Sequence, residues 1–120
     1  MKIHKSAEDY LEMILMLQEN KGYVRSIDIA TGLSVSKPSV SVAMKHLRED
    51  GYIVMDKDNL ITLTESGMTI ARAVYDRHKV LTQFLMQLGV DEETAREDAC
   101  KIEHDISPAT LTAIRNHLGK

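Results

Sequence analysis

The sequence has no tryptophan and one phenylalanine, and aromatic residues fill only 4% of its 120 positions. A core of stacked rings is excluded. One built from Leu, Ile, Val, Met and Ala is expected, with the seven methionines as adaptable filling between helices. A single cysteine, Cys100, cannot form an internal disulfide, so its value is either packing, the commoner fate, or thiolate chemistry. Long apolar runs are absent as well. "MKIHKSAEDY" meets charge before a signal peptide could develop, and no segment approaches the length of a membrane span. The expectation is a soluble, cytoplasmic, mostly helical protein with no membrane partner, either one compact domain or a small domain with a helical extension.

The net charge of −3 argues weakly against nucleic-acid binding, but it is unevenly spread. Residues 1 to 80 hold 11 basic and 11 acidic side chains, whereas residues 81 to 120 hold 4 and 7. A nucleic-acid site therefore belongs in the first part, and a cation site suits the second.

From Ser6 to about Glu19, Tyr10, Leu11, Ile14, Leu15 and Leu17 recur at helical spacing, with Ser6 as N-cap, and "NKG" stops the helix. Asp9 and Glu12 lie on this helix, three residues apart. Taken alone, such a pair is a solvated face.

The segment "VRSIDIATGLSVSKPSVSVAMKHLREDGYI" is the most informative. Ser26 is expected to cap a short helix from Ile27 to Gly32, with Gly32 as its end, and "LSVS" to form a tight turn. Ser36 then caps a second helix that tolerates Pro38 in its first turn and ends at Gly51. Val40, Ala43, Met44 and Leu47 give this second helix one apolar face. Two short helices joined by a brief turn form a helix-turn-helix. The opposite face presents Ser36, Lys37, Pro38, Ser39, Ser41, Val42, Lys45 and Arg48. Small hydroxyls at a helix N-terminus let the backbone approach a phosphate, and flanking cations suit DNA, although an ordinary polar surface has the same composition.

"YIVMDKDNLITLT" reads as two β-branched runs, Ile53 to Met55 and Leu60 to Thr64, joined by a turn-forming "DKDN". A hairpin directly after the second helix is the wing of a winged helix, with Lys57 and Asn59 at a tip facing DNA. Thr64 caps a long helix that runs to Gly89 and carries His78 at its middle, where a lone histidine is usually packed or solvated. Asp91 caps the next helix, and Ser107 with Pro108 starts a last one reaching about Leu118. Long helices after a winged helix commonly form a dimer.

In "DACKIEHD", Cys100, Glu103 and His104 fall at i, i+3 and i+4. That spacing puts a thiol, a carboxylate and an imidazole on one helical face, the layout of a metal half-site, though chance can make the same pattern.

From "AEDYLEMI" through "LSVSKPSVS" and "LTESG" to "RHKVLTQFL" and "CKIEHDIS", the order and spacing of motifs resemble the metal-dependent repressors of the diphtheria-toxin-repressor and manganese-transport-regulator type. The resemblance covers essentially the whole chain. It implies a winged helix-turn-helix at 1–70 and a helical metal-binding and dimerisation domain at 71–120, in the short form without an additional β-domain. Carried over by position, it implies that Asp9, Glu12, His78, Cys100, Glu103 and His104 are metal ligands.

Several positions depart from the family pattern. Manganese-type members have Glu where Cys100 stands, and iron-type members have Met where Asp9 stands. Thr82 and Arg96 replace a carboxylate and a histidine of a second site, and Val42 replaces a base-reading glutamine. Val42 can touch a thymine methyl but offers no bidentate hydrogen bonds.

The function so implied is a metal-activated repressor, a homodimer on double-stranded operator DNA, with Fe(II) or Mn(II) as corepressor in metal homeostasis. Co(II), Ni(II) or Zn(II) would substitute in vitro, since thiolate favours softer ions and carboxylates suit manganese. Two alternatives remain at this level. One is a winged-helix regulator responding to oxidation of Cys100 with a vestigial metal site. The other is a small metallohydrolase using Glu12 or Glu103 as base.

Overall fold

A computed structural model describes residues 5–119 as six helices and one hairpin. The order is α1 (Lys5–Lys21), α2 (Ser26–Leu33), α3 (Lys37–Glu49), β1 (Ile53–Met55), β2 (Ile61–Leu63), α4 (Glu65–Gln87), α5 (Glu92–Ile102) and α6 (Pro108–Leu118). The chain is mostly helical with a small β-wing. It divides into two compact units, Met1–Arg72 and Ala73–Lys120, and α4 contributes to both. Among the described residues no helix is long and apolar enough to cross a membrane.

In the first unit, Leu11, Ile14 and Leu15 of α1 are buried, as their helical spacing requires. Gly22, at φ 84°, ends the helix. The cap of α2 differs from the sequence expectation. Arg25, not Ser26, is the N-cap residue, and its amide donates to Asp28 Oδ2 at 3.1 Å. The Asp28 carboxylate lies in the first turn and accepts that free amide, so the helix starts one residue earlier. Gly32 does not end α2 either. It lies inside the helix, where a Cβ would stand 2.8 Å from Met13 Sδ, and left-handed Ser34 (φ 56°) forms the cap instead.

Ser36 Oγ accepts the Ser39 amide at 3.2 Å and thereby caps α3, whose Val40, Met44 and Leu47 are buried. Strands β1 and β2 pair antiparallel with Ile53 opposite Leu63 and Val54 opposite Thr62. Ile53, Ile61 and Leu63 point inward, whereas Val54 and Thr62 face out. The Ile61 amide donates to the Val24 carbonyl at 2.8 Å, which ties the wing to the α1–α2 connection. Thr64 Oγ1 accepts the Gly67 amide (3.2 Å) and donates to the Gly51 carbonyl (2.7 Å), fixing the start of α4 against the end of α3.

In the second unit, Val74 and Leu81 of α4 and Ala95 and Ala99 of α5 are buried. Asp91 Oδ2 caps α5 by accepting the Thr94 amide at 3.1 Å, and Ser107 caps α6 in the same way with Thr110. The "DACKIEHD" stretch is not continuous helix. α5 ends at Ile102, Glu103 is its C-cap, and His104 stands in the following turn. The Asp105 amide bonds the Ile102 carbonyl at 3.0 Å, a tight turn that releases the chain for Ser107 and Pro108 to open α6.

Candidate metal centre and nucleic-acid interface

Although α5 stops early, Glu103 keeps right-handed helical angles (φ −60°, ψ −27°). The Cys100, Glu103 and His104 side chains therefore stay close together. His104 Nε2 lies 3.2 Å from Glu103 Oε1, and His78 Nδ1, from α4, lies 3.3 Å from Glu103 Oε2. Cys100, which is exposed, brings its sulfur within 4.8 Å of a Glu103 oxygen. In the second unit two imidazole nitrogens and a thiol thus each come near the one Glu103 carboxylate.

Glu103 is only 1% exposed, and neither of its oxygens accepts a hydrogen bond. A buried carboxylate in that state is costly unless a positive charge faces it. The nearby imidazole nitrogens are close but not aligned as donors to it. Nitrogen, oxygen and sulfur donors converging around a buried carboxylate fit a divalent transition metal.

In the first unit, Asp9 and Glu12 sit one turn apart on α1. Asp9 is half-buried and Glu12 is buried at 7% exposure, so Glu12 is not part of a solvated face. Thr82 and Arg96 are locally committed. Thr82 donates to the His78 carbonyl at 2.8 Å, and Arg96 pairs with Glu92 at 2.6 Å.

The outer face of α3 is open. Ser36, Lys37, Pro38, Ser39, Ser41, Val42, Lys45 and Arg48 are all exposed, Val42 at 58%. Two of the hydroxyls are partly engaged, since Ser36 Oγ donates to Ser39 Oγ at 2.8 Å. Arg48 leans toward the wing, its Nη1 3.8 Å from Met55 Sδ. Val35, exposed in the turn before α3, escaped the sequence reading, although an apolar residue between turn serines was the available signal. At the hairpin tip Lys57 is exposed between Asp56 and Asp58. Asp56 Oδ1 accepts the amides of Asp58 and Leu60, which leaves Asp58 as an exposed anion.

Lys21 Nζ donates to Asp28 at 2.8 Å and joins the end of α1 to the start of α2. That hydrogen bond holds the Lys21 ammonium above its ordinary value. It also holds the Asp28 carboxyl below its own, with help from the Arg25 amide. Asp91 is likewise held low, by the Thr94 amide and hydroxyl.

Residues 2–60 match the family described as iron dependent repressor, N-terminal DNA binding domain. Residues 64–120 match the iron dependent repressor, metal binding and dimerisation domain. The HTH-type transcriptional regulator MntR of Lysinibacillus sphaericus is 44% identical over 102 residues, covering 85% of this chain and 73% of the relative. The chain belongs to the iron-dependent repressor family. Its fold matches the crystal structure of IdeR from T. acidophilum with a TM-score of 0.87 at 26% identity, over 100% of this chain and 56% of the other. A manganese-dependent transcriptional repressor solved in complex with manganese matches at a TM-score of 0.85 and 32% identity, over 94% and 52%. The chain spans about half the length of these two solved relatives. It is a metal-dependent transcriptional regulator rather than an enzyme, which overturns the hydrolase alternative.

Proposed function

We propose that this chain is a cytoplasmic, metal-activated repressor of genes for iron or manganese homeostasis, acting as a homodimer on operator DNA. Residues 1–70 serve as the DNA-binding domain and 71–120 as the metal-binding and dimerisation domain. Asp9, Glu12, His78, Cys100, Glu103 and His104 are the metal ligands. The observation that carries this reading is the Glu103 carboxylate, buried without a hydrogen bond and flanked by two imidazoles.

A divalent cation, when bound, supplies the positive charge that these carboxylates lack. The protein's own groups do the rest. Glu103 anchors the donor set at the end of α5, while His78 on α4 and His104 in the turn present nitrogen lone pairs. Asp9 and Glu12 make the position of α1 sensitive to occupancy. α1 is joined to α2 by the Lys21–Asp28 pair and by the Met13 side chain against Gly32. A bias on α1 is therefore passed to the helix-turn-helix, whose α3 face carries Lys37 and Lys45 for phosphates and Val42 for base edges. In such dimers two half-sites lie one helical turn, or a multiple of it, apart.

The donor set mixes a thiol with carboxylates, so Fe(II), Co(II) or Zn(II) and Mn(II) are all served in part. The test is an anaerobic titration of DNA binding with Mn(II), Fe(II), Co(II) and Zn(II), one at a time, on fragments selected by the metal-loaded protein. At least one ion should raise affinity at least tenfold. Metal-independent binding with every ion would overturn the reading.

A further inference from the structure

In the second unit, α4, α6 and the segment before α6 border a half-open cleft of about 330 Å³, with Ala73, Ile106, Pro108 and Leu111 as apolar walls. That is within the roughly 300–1,000 Å³ of small-ligand pockets. Two side chains of opposite charge, Asp76 from α4 and Arg115 from α6, line the same cleft. They do not close on each other as an ion pair, and neither has a hydrogen-bond or ion-pair partner among the described residues. Arg77 adds a second guanidinium to the lining.

Opposite charges held apart over apolar walls form the complement of a small zwitterion. A guanidinium accepts a carboxylate through two parallel hydrogen bonds, which makes Arg115 the natural partner of the acid group. Asp76 is the natural partner of an ammonium. Ile106 and Leu111 offer a hydrocarbon surface for a short aliphatic side chain. An inorganic anion would leave both the apolar walls and Asp76 unused. We propose that this cleft binds a free aliphatic α-amino acid, a site separate from the metal ligands and from the α3 face.

The test is titration of the metal-free chain, followed by calorimetry and by amide chemical shifts. Three probes are used: L-leucine, 4-methylpentanoate, which lacks the ammonium, and isoamylamine, which lacks the carboxylate. Saturable binding of L-leucine is expected, with shifts concentrated at residues 73–77 and 106–115 and with both truncated probes at least tenfold weaker. Arg115→Gln should weaken L-leucine at least tenfold. Asp76→Asn should weaken L-leucine at least tenfold and should not weaken 4-methylpentanoate. Both side chains are exposed, so neither substitution touches the core. No saturable binding, equal binding of 4-methylpentanoate and L-leucine, or indifference to both substitutions would overturn the proposal. Because no metal is present, none of these results depends on the repressor reading.

Discussion

His78 and Glu103, from two different helices, bring Nδ1 and Oε2 to 3.3 Å, yet the carboxylate accepts no hydrogen bond from the ring. A buried acceptor left in this state costs about 1–3 kcal/mol. Metal-free Glu103→Gln should therefore be at least as stable as the parent. Saturating metal reverses the order. The parent gains about 2.7 kcal/mol when free metal is 100 times Kd, and the variant gains far less. Denaturant midpoints with and without metal check this, and equal metal-induced gains would count against Glu103 as a ligand.

Gly67 tests the joint between wing and α4. A Cβ there would run into the Tyr52 carbonyl, with the carbonyl carbon at 3.0 Å. Backbone cannot move aside cheaply, so Gly67→Ala should cost about 1–3 kcal/mol, read as a lower urea midpoint at unchanged slope. Gly32→Ala meets only the flexible end of Met13 and should cost less. The reverse ranking would show that the joint between wing and α4 yields more easily than the α1–α2 seam.

On the DNA face, Lys37→Ala and Lys45→Ala should each weaken binding to all sequences and reduce the log-log salt slope by about one if one phosphate contact is lost. Asp58→Asn, which removes an exposed anion from the hairpin tip, should instead strengthen binding. If Asp58→Asn leaves affinity unchanged at low salt, the tip does not approach the phosphates.

Asp91 gives a pH signature. Its carboxyl is held below the ordinary value by the Thr94 amide, so its capping contribution is present above the unfolded value and is lost as pH falls through the folded one. Asp91→Ala should lower the thermal midpoint at neutral pH, and the difference should vanish in acid. Asp91→Asn, also a good cap, should track the parent at neutral pH. A deficit for Asp91→Ala that persists in acid would assign another role to the residue.

Much of this was legible from residue spacing. Ser36, Asp91 and Ser107 cap the helices where their side chains allow, and the β-branched runs around "DKDN" form the hairpin. The ends of short elements were less legible because two chemistries compete there. Asp28 captured the Arg25 amide and moved the start of α2. Gly32 served close packing against Met13 rather than termination. α5 ended before Glu103, yet the i, i+3, i+4 grouping survived because the C-cap kept helical angles. Burial of Glu12 and Glu103 has no local signal, since it depends on what packs around each side chain in the fold.

The most direct measurement compares the parent and Asp9→Ala in two titrations: calorimetry with the activating metal, and binding to a selected DNA fragment at saturating metal. A ligand shifts an equilibrium only through differential affinity for its two states, and Asp9 is the α1 group assigned to supply that difference. Asp9→Ala should still bind metal, more weakly, through the donors of the second unit. It should lose most of the metal-stimulated DNA affinity, a coupling of roughly 1–3 kcal/mol. A fully metal-loaded Asp9→Ala variant that binds DNA as tightly as the parent would contradict the account.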